Sequence, residues 1–449
     1  MASKDFSRRG FVQATAAAGA GLMIVPRRVL GGPRHRAPSD TLNVAHIGVG
    51  GMGRSDVRGM SEAGENIYAL CDVDENMARG AWSAFPQAKR FRDYRVMLER
   101  EAANIDAVVI STPDHAHTGA GMLAMSLGKP CRIQKPLATT IWEVRELMRA
   151  AGESGVATQM GNQGHAMEGT RQIREWYDAG AIGTIRRVEY WTNRPIWPQA
   201  IRRPTEAHHV PPWLDWDLWL GPAADRPYHP AYAPFNWRGW WDFGTGALGD
   251  IACHAMDAAF WTFDLGFPER VSAESTPLFP ETAPAASRIE YDFPARGSRP
   301  AIKVVWRDGS LSPPKPEEIA DDSSWPPDSS GQLWIGTGGK LFAGIYGEDP
   351  RLLDEARDRE IRESPPPESY PRTDGVYAEF AAACKDGPPA GSSFVEHAGP
   401  LTQMVLLGNL SVRSGRALAL DPRTGAITGD VEIPDAYLRA PYREGWGWS

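Results

Sequence analysis

Three side chains in this sequence have the types and spacing to move a proton. Lys135 stands in Ile133-Gln134-Lys135-Pro136, and Asp250 and His254 stand in Gly249-Asp250-Ile251-Ala252-Cys253-His254. Proline disfavours helical geometry at the residue before it, so Lys135 is held extended just past an apolar strand and presents one cation to a crevice. At i, i+4, Asp250 and His254 share one face of a predicted helix. A carboxylate beside an imidazole fixes its tautomer or raises its pKa, which suits His254 to exchange a proton with a hydroxyl. A capping acid beside a core histidine is the plainer account of such a pair. Only two metal ligands are local, so no metal centre is expected.

A second group of residues suits a dinucleotide. Leu42 to Ile47 reads as a buried parallel strand, Gly48-Val49-Gly50-Gly51-Met52-Gly53 follows at once, and Arg54 to Ala63 reads as a helix. In that context G-x-G-x-x-G lets a pyrophosphate approach backbone N–H groups at a helix N-terminus, with Gly48, Gly50, Gly51, Met52 and Gly53 as contacts. The next strand, Ile67 to Cys71, ends at Asp72, 19 residues past Gly53. A carboxylate there takes the ribose hydroxyls and repels a 2′-phosphate, so NAD is expected over NADP. Thr112, Pro113 and His117 sit in the polar loop after the strand Ala107 to Ile110. Loops at the carboxyl ends of parallel strands face the cofactor, so these three are assigned to it, together with Gln134, Lys135 and Asn162.

These residues need a scaffold. Strands and helices alternate from Leu42 to Met160, the last strands being Cys131 to Ile133 and Val156 to Met160. That pattern predicts an α/β, Rossmann-type, doubly wound parallel sheet over 41–161. Past Gly161 the texture changes. Ile185 to Thr192 alternates with period two, and so do Ser287 to Phe293 and Ala301 to Trp306. Further strands are read at Leu333 to Thr337 and Leu341 to Tyr346, and helices at Thr373 to Lys385 and His397 to Ser414. A C-terminal α+β domain with one large open, mainly antiparallel sheet is expected over 162–420, followed by a tail over 421–449. The 17 tryptophans exceed ordinary usage. Tryptophan faces suit sugar rings, so Trp237 and Trp240 are assigned to substrate, with Asn193, Arg194 and Arg238 for its hydroxyls or an anionic group. Core or subunit contacts are the alternative for each tryptophan.

Hydrophobic content of 42% and a net charge of −8 without a basic stripe describe a globular chain and argue against nucleic acid as a partner. Cys71, Cys131, Cys253 and Cys384 are scattered without metal-ligand spacing and read as buried thiols. Residues 1–40 carry an address. Ser7-Arg8-Arg9-Gly10-Phe11-Val12-Gln13, followed by an Ala/Gly-rich apolar run to Val25, reads as a twin-arginine export signal, with the periplasm or cell exterior as destination. The run is too short for a stable membrane span.

Gly48 to Gly53, the Thr112-Pro113 loop with His117, Gly128-Lys129 leading into Gln134-Lys135-Pro136, and Asp250-x-x-x-His254 resemble the Gfo/Idh/MocA oxidoreductases, the family of glucose-fructose oxidoreductases and inositol dehydrogenases. The resemblance spans roughly Leu42 to Ser414. It implies hydride exchange between a secondary alcohol of a sugar or polyol and NAD(P), with Lys135, Asp250 and His254 as catalytic residues. It also implies homo-oligomers paired through the second sheet. Export favours a tightly bound cofactor, because no free NAD pool exists outside the cytoplasm. A glycosidase or epimerase acting through transient C3 oxidation is the alternative reaction, and a non-catalytic sugar-binding relative is a second alternative. The family usually has Glu-Lys-Pro where this chain has Gln134-Lys135-Pro136.

Overall fold

The computed structural model describes residues 40–448 apart from Asp321. The twin-arginine segment lies outside the described residues. Short apolar segments between helices build the first sheet. Its strands are β1 (Asn43–Ile47), β2 (Asn66–Cys71), β3 (Lys89–Phe91), β4 (Ala107–Ile110), β5 (Cys131–Ile133) and β6 (Thr158–Met160). All pair in parallel, in the order β3-β2-β1-β4-β5-β6. Strands β4, β5 and β6 are buried at every residue, as expected where helices cover both faces. The order reverses between β1 and β4, so the loops leaving these strands diverge and open a crevice at their carboxyl ends. Strand β3 and the helix Glu75–Ala84 carried no clear signal in the sequence: Lys-Arg-Phe is a mostly exposed edge with a single apolar residue.

The second sheet has nine strands: β7 (Ile185–Trp191), β8 (Arg270–Ser275), β9 (Ser287–Phe293), β10 (Ile302–Arg307), β11 (Gly331–Gly336), β12 (Gly339–Ala343), β13 (Arg351–Leu352), β14 (Leu418–Leu420) and β15 (Ile427–Thr428). Their order is β13-β12-β11-β7-β10-β9-β8-β14-β15. Strands β7 and β10 pair in parallel at its middle, and every other pair is antiparallel. The helix Gly399–Ser414 packs on β8 and β9. Along β9, buried and half-buried residues alternate, and Lys303 of β10 reaches the half-buried Glu290 at 2.8 Å and Asp292 at 3.0 Å. Much of the tryptophan excess is core: Trp306 and Trp334 are fully buried in this half beside Tyr190 and Tyr291.

Between β7 and the helix Gly246–Ala255 runs a long insert with its own aromatic core. Trp216 stacks on Trp219, with ring centroids 4.8 Å apart, and Tyr232 meets Trp240 edge-on. Two backbone bonds fasten this insert to the loop after β2: Glu75 N–H to Trp213 C=O (3.0 Å) and Asp215 N–H to Val73 C=O (2.9 Å). The C-terminal tail lies over the same region. Arg443 donates to Gly221 C=O at 3.0 Å and to Asp225 Oδ1 at 2.7 Å, and Arg95 sits 3.9 Å over the Trp446 ring.

The helix Val376–Ala383 falls in the stretch assigned to the second domain, yet it packs on the first. Phe380 and Ala381 complete one apolar core with Val44, Val49, Val57 and Val109. The four cysteines are free thiols, three of them buried. No helix among the described residues is long and apolar enough to cross a membrane.

Candidate active site

The glycine loop lies where β1 feeds the helix Gly51–Glu62. A side chain at Gly53 would meet Gly48 O at 2.0 Å, so only glycine lets the helix approach the turn. At Gly51, φ is +46° and nothing lies within 4 Å of a Cβ position. Gly50 caps this helix without a side-chain hydrogen bond, so the first-turn N–H groups keep their capacity to bind an anion. An uncapped helix start beside open space fits a dinucleotide pyrophosphate. Asp72 faces the loop, its Oδ2 accepting from Val49 N–H (2.8 Å) and Gly50 N–H (3.2 Å). Burial pushes its carboxyl up to about 6, against the pull of those amides.

The Thr112–His117 loop after β4 is a junction. His117 ties its two ring nitrogens to Pro136 O (2.9 Å) and Thr112 O (3.0 Å), which joins this loop to the lysine loop. Both partners are carbonyls, and burial holds the ring pKa down near 4, so the neutral ring donates its one N–H to one carbonyl and only packs its other nitrogen against the second. His115 reaches Trp219 O at 3.0 Å in the insert. Asp114 accepts from Thr245 Oγ1 at 2.8 Å, and Thr245 precedes the helix that carries Asp250 and His254.

Lys135 and Asp250 come together across the crevice. Lys135 Nζ donates to Asp250 Oδ1 at 2.9 Å and to its backbone carbonyl at 2.5 Å. Arg238 Nε lies 3.2 Å from the same Oδ1, and its guanidinium sits 4.3 Å over the Trp237 ring. Burial alone would raise the Asp250 pKa, but the Lys135 and Arg238 cations outweigh it and hold the carboxyl down at about 2.

Asp250 therefore does not orient His254, contrary to the expectation from their spacing. Its charge is spent on two cations, and no hydrogen bond joins the pair. His254 Nδ1 is buried without a partner, and Tyr346 packs against the ring at 4.6 Å. Burial first, then Lys135, lowers the His254 pKa to about 3, so the ring is neutral at ordinary pH.

Other assigned residues face elsewhere. Gln134 does not point at the crevice: its amide donates to Asp56 Oδ2 at 2.9 Å and Oδ1 at 3.1 Å. Asn162 is fully buried, donating to Asp257 (2.8 Å) and accepting from Ser392 (2.5 Å), and its side chain does not reach the surface of the crevice. Trp240 is buried in the insert with its Nε1 on Ala231 O at 2.8 Å, so it offers no face to a sugar. Asn193 is bonded to Arg194 at 2.9 Å, and neither bonds to Lys135 or His254.

Sequence reading missed Asp56, Asp114, Tyr346 and Asp257. Asp257 lies one turn beyond His254 and gathers His165 Nδ1 (3.1 Å), His397 Nε2 and Asn162 Nδ2 (2.8 Å) from three other segments. The ligand-type atoms of His165, Asp257 and His397 lie within 4.8 Å of one another, the one such group among the described residues. Three N–H donors already fill the carboxylate, so hydrogen bonding accounts for the group. Its polar partners lie far apart in sequence, and only the i, i+3 step from His254 hinted at it.

The fold and the glycine loop define an NAD-binding Rossmann protein with an added α/β domain. Two family profiles match in that order: "Oxidoreductase family, NAD-binding Rossmann fold" over residues 42–162, and "Oxidoreductase family, C-terminal alpha/beta domain" over residues 181–300. The chain belongs to the Gfo/Idh/MocA oxidoreductase family. Among curated relatives it is 30% identical over 146 residues to inositol 2-dehydrogenase 2 of Saccharopolyspora erythraea, 32% of this chain and 42% of that one. It is also 30% identical over 141 residues to D-apiose dehydrogenase of Paraburkholderia graminis, 31% of this chain and 37% of that one. The chain thus spans less than half the length of these relatives. Its fold matches the WlbA dehydrogenase from Bordetella pertussis, solved with NADH and UDP-GlcNAcA, at a TM-score of 0.59 and 17% identity over 85% of this chain and 99% of that one. It also matches aldose-aldose oxidoreductase from Caulobacter crescentus at a TM-score of 0.55 and 16% identity, covering 85% and 100%.

Proposed function

We propose that this chain is an exported oxidoreductase that transfers a hydride between a secondary alcohol of a sugar or polyol and a tightly held NAD. The observation that carries the reading is the Lys135–Asp250 ion pair, with a neutral His254 one turn along the same helix, at the carboxyl end of β5, next to the strand where the sheet order reverses. NAD, when bound, supplies the hydride acceptor. Gly48 to Gly53 hold its pyrophosphate, and Asp72 selects against a 2′-phosphate. Lys135 stabilises negative charge on the substrate oxygen as the alcohol becomes a carbonyl. His254, uncharged and buried, accepts the hydroxyl proton at Nε2. Asp250 holds Lys135 in place through its Oδ1 and its backbone carbonyl. Arg238 and Trp237 border this pair and contact substrate, with Asn193 and Arg194 further along the insert.

The insert supports slow cofactor exchange, because its two backbone bonds, at Val73 and Glu75, fasten it to the loop just after Asp72 and the tail lies over the insert. The twin-arginine motif supports export, and the open sheet supports pairing of two copies. A redox-neutral glycosidase or epimerase is the second reading, favoured by the extra buried acid, Asp114, beside the pair.

The test is to purify the chain, release and identify any bound nucleotide by mass, and screen sugars, polyols and aryl glycosides. Nicotinamide absorbance and products are followed together. Reduction of cofactor by a secondary alcohol is the expected result, and its absence across the panel overturns the reading. Aglycone release without net reduction selects the redox-neutral reaction.

A further inference from the structure

We propose that Asp114 is a further acid–base residue of this site, taking the proton from the carbon next to the ketone of the oxidised substrate. The inference rests on the alcohol-oxidation reading above and extends it to a second proton.

Its placement is unusual for a structural acid. Asp114 follows β4 directly, so it lies on one of the two loops that diverge at the reversal of the sheet. The residue is 5% exposed, yet its carboxylate receives one hydrogen bond, from Thr245 Oγ1 to Oδ2. Oδ1 takes none from any described residue, and no cation among them forms an ion pair with it. A buried carboxylate without a counter-charge is costly as an anion. Capping does not explain it, for its side chain caps no helix. The charged and titratable groups that face it are Lys135 from the loop after β5, Arg238 from the insert, and Asp250 and Cys253 from the helix. Asp114 thus stands among the groups assigned to the alcohol but is bonded to none of them.

The chemistry follows from what the first step makes. A ketone acidifies the C–H bonds on both flanking carbons. Asp114 Oδ1 accepts one of these protons, the C–H bonding pair becomes the enolate double bond, and Lys135 stabilises the enolate oxygen. The same proton returns to carbon from Asp114, or from water after exchange, so no oxidant or reductant is consumed. Protonation by water on the opposite face inverts that carbon, the Asp114 proton then passing to solvent, and departure of a leaving group from the next carbon with the enolate's electron pair gives elimination. Burial pushes the Asp114 carboxyl up to about 7, which lets one group act as base and then acid near neutrality. The neutral His254 and the elevated Asp114 separate the two proton transfers between two residues.

The experiment supplies the ketone directly, so it does not depend on alcohol oxidation. A keto-inositol and a 3-keto-glucoside are incubated in D2O with the purified full chain, its cofactor oxidised, and deuterium at the flanking carbons is followed by NMR. The wild-type chain is expected to speed exchange on at least one ketone. Asp114→Asn keeps an acceptor for Thr245 and is expected to slow exchange at least 100-fold with its melting temperature retained. Thr245→Val keeps the carboxylate and removes a bond that lowers its pKa, so the rise of exchange rate with pH moves to higher pH. Equal exchange by Asp114→Asn, no exchange by the wild type on either ketone, or an unmoved profile for Thr245→Val overturns the proposal. Exchange on a ketone without cofactor reduction by any alcohol sinks the oxidation reading and leaves the proton role standing.

Discussion

Gln134→Glu restores the residue usual in the family, and it is expected to destabilise this chain. Asp56 is fully buried, and Gln134 Nε2 donates to both of its oxygens at 2.9 and 3.1 Å. Ser111 Oγ (2.6 Å) and Tyr377 OH (2.9 Å) donate to the same carboxylate, and Arg132 Nη2 stands 3.7 Å away. A glutamate replaces the amide donor with an acceptor about 3 Å from Asp56, and two carboxylates at that distance do not both ionise. One must keep a proton, so the introduced carboxyl has a folded pKa raised above its unfolded value of about 4.3. Held protonated to pH 7, such a group removes about 1.4 kcal/mol per pH unit over about 2.7 units, roughly 3–4 kcal/mol; Arg132 offsets part of this. The sign is fixed by the raised pKa: the loss is absent below about pH 4 and grows as pH rises toward the folded value. The assay is thermal unfolding of both chains from pH 4.5 to pH 8. The expected result is melting curves that converge at the acid end and separate steadily toward neutrality. A variant that melts with the parent at every pH, or one with a constant deficit, would refute the Asp56–Gln134 account.

Three further outcomes follow from the site. Lys135→Met should lower single-turnover cofactor reduction by about 10²–10³, the usual effect of removing one charge-stabilising donor, and should also lower the melting temperature, because Asp250 keeps only Arg238 as a cation; a retained rate in the folded variant removes Lys135 from the chemistry. Asp72→Ser should narrow the preference for NAD over NADP at least tenfold in binding titrations, and an unchanged ratio would mean that another group rejects the 2′-phosphate. Burial and Lys135 hold His254 near pKa 3, so the pH–rate profile should show no limb from its protonation between pH 5 and 8. A limb near pH 6.5 that disappears in His254→Gln would contradict a neutral, desolvated ring.

The nucleotide half was legible because its signals are local. Glycines at fixed offsets, apolar strand runs and an acid after the second strand are dictated by backbone geometry and burial, and they stand where the sequence places them. Lys135 was legible for the same reason: proline constrains its neighbour. The Asp250–His254 pairing failed because helical spacing brings two side chains to one face but does not choose their partners. Lys135 and Arg238 reach Asp250 from distant segments, and ionic attraction outweighs a neutral imidazole. Asn162 and Gln134 were misread alike, since each is claimed by a buried carboxylate far away in sequence. Trp240 shows the limit of composition: a tryptophan suited to a sugar also fills a core, and here its indole N–H is already satisfied.

The helix Val376–Ala383 has a consequence for how the chain is made. Phe380 fills a slot among Val44, Val57 and Val109, and Tyr377 bonds Asp56 in the helix that starts at the glycine loop. The nucleotide half is therefore unfinished when residue 162 leaves the ribosome. At ordinary synthesis rates its last core residue arrives roughly 10–40 s later. Until then the first sheet has an open apolar slot, and Asp56 lacks one of its donors, Tyr377. Cofactor capture belongs to the end of synthesis, and a fragment cut after the first sheet would expose that slot to aggregation.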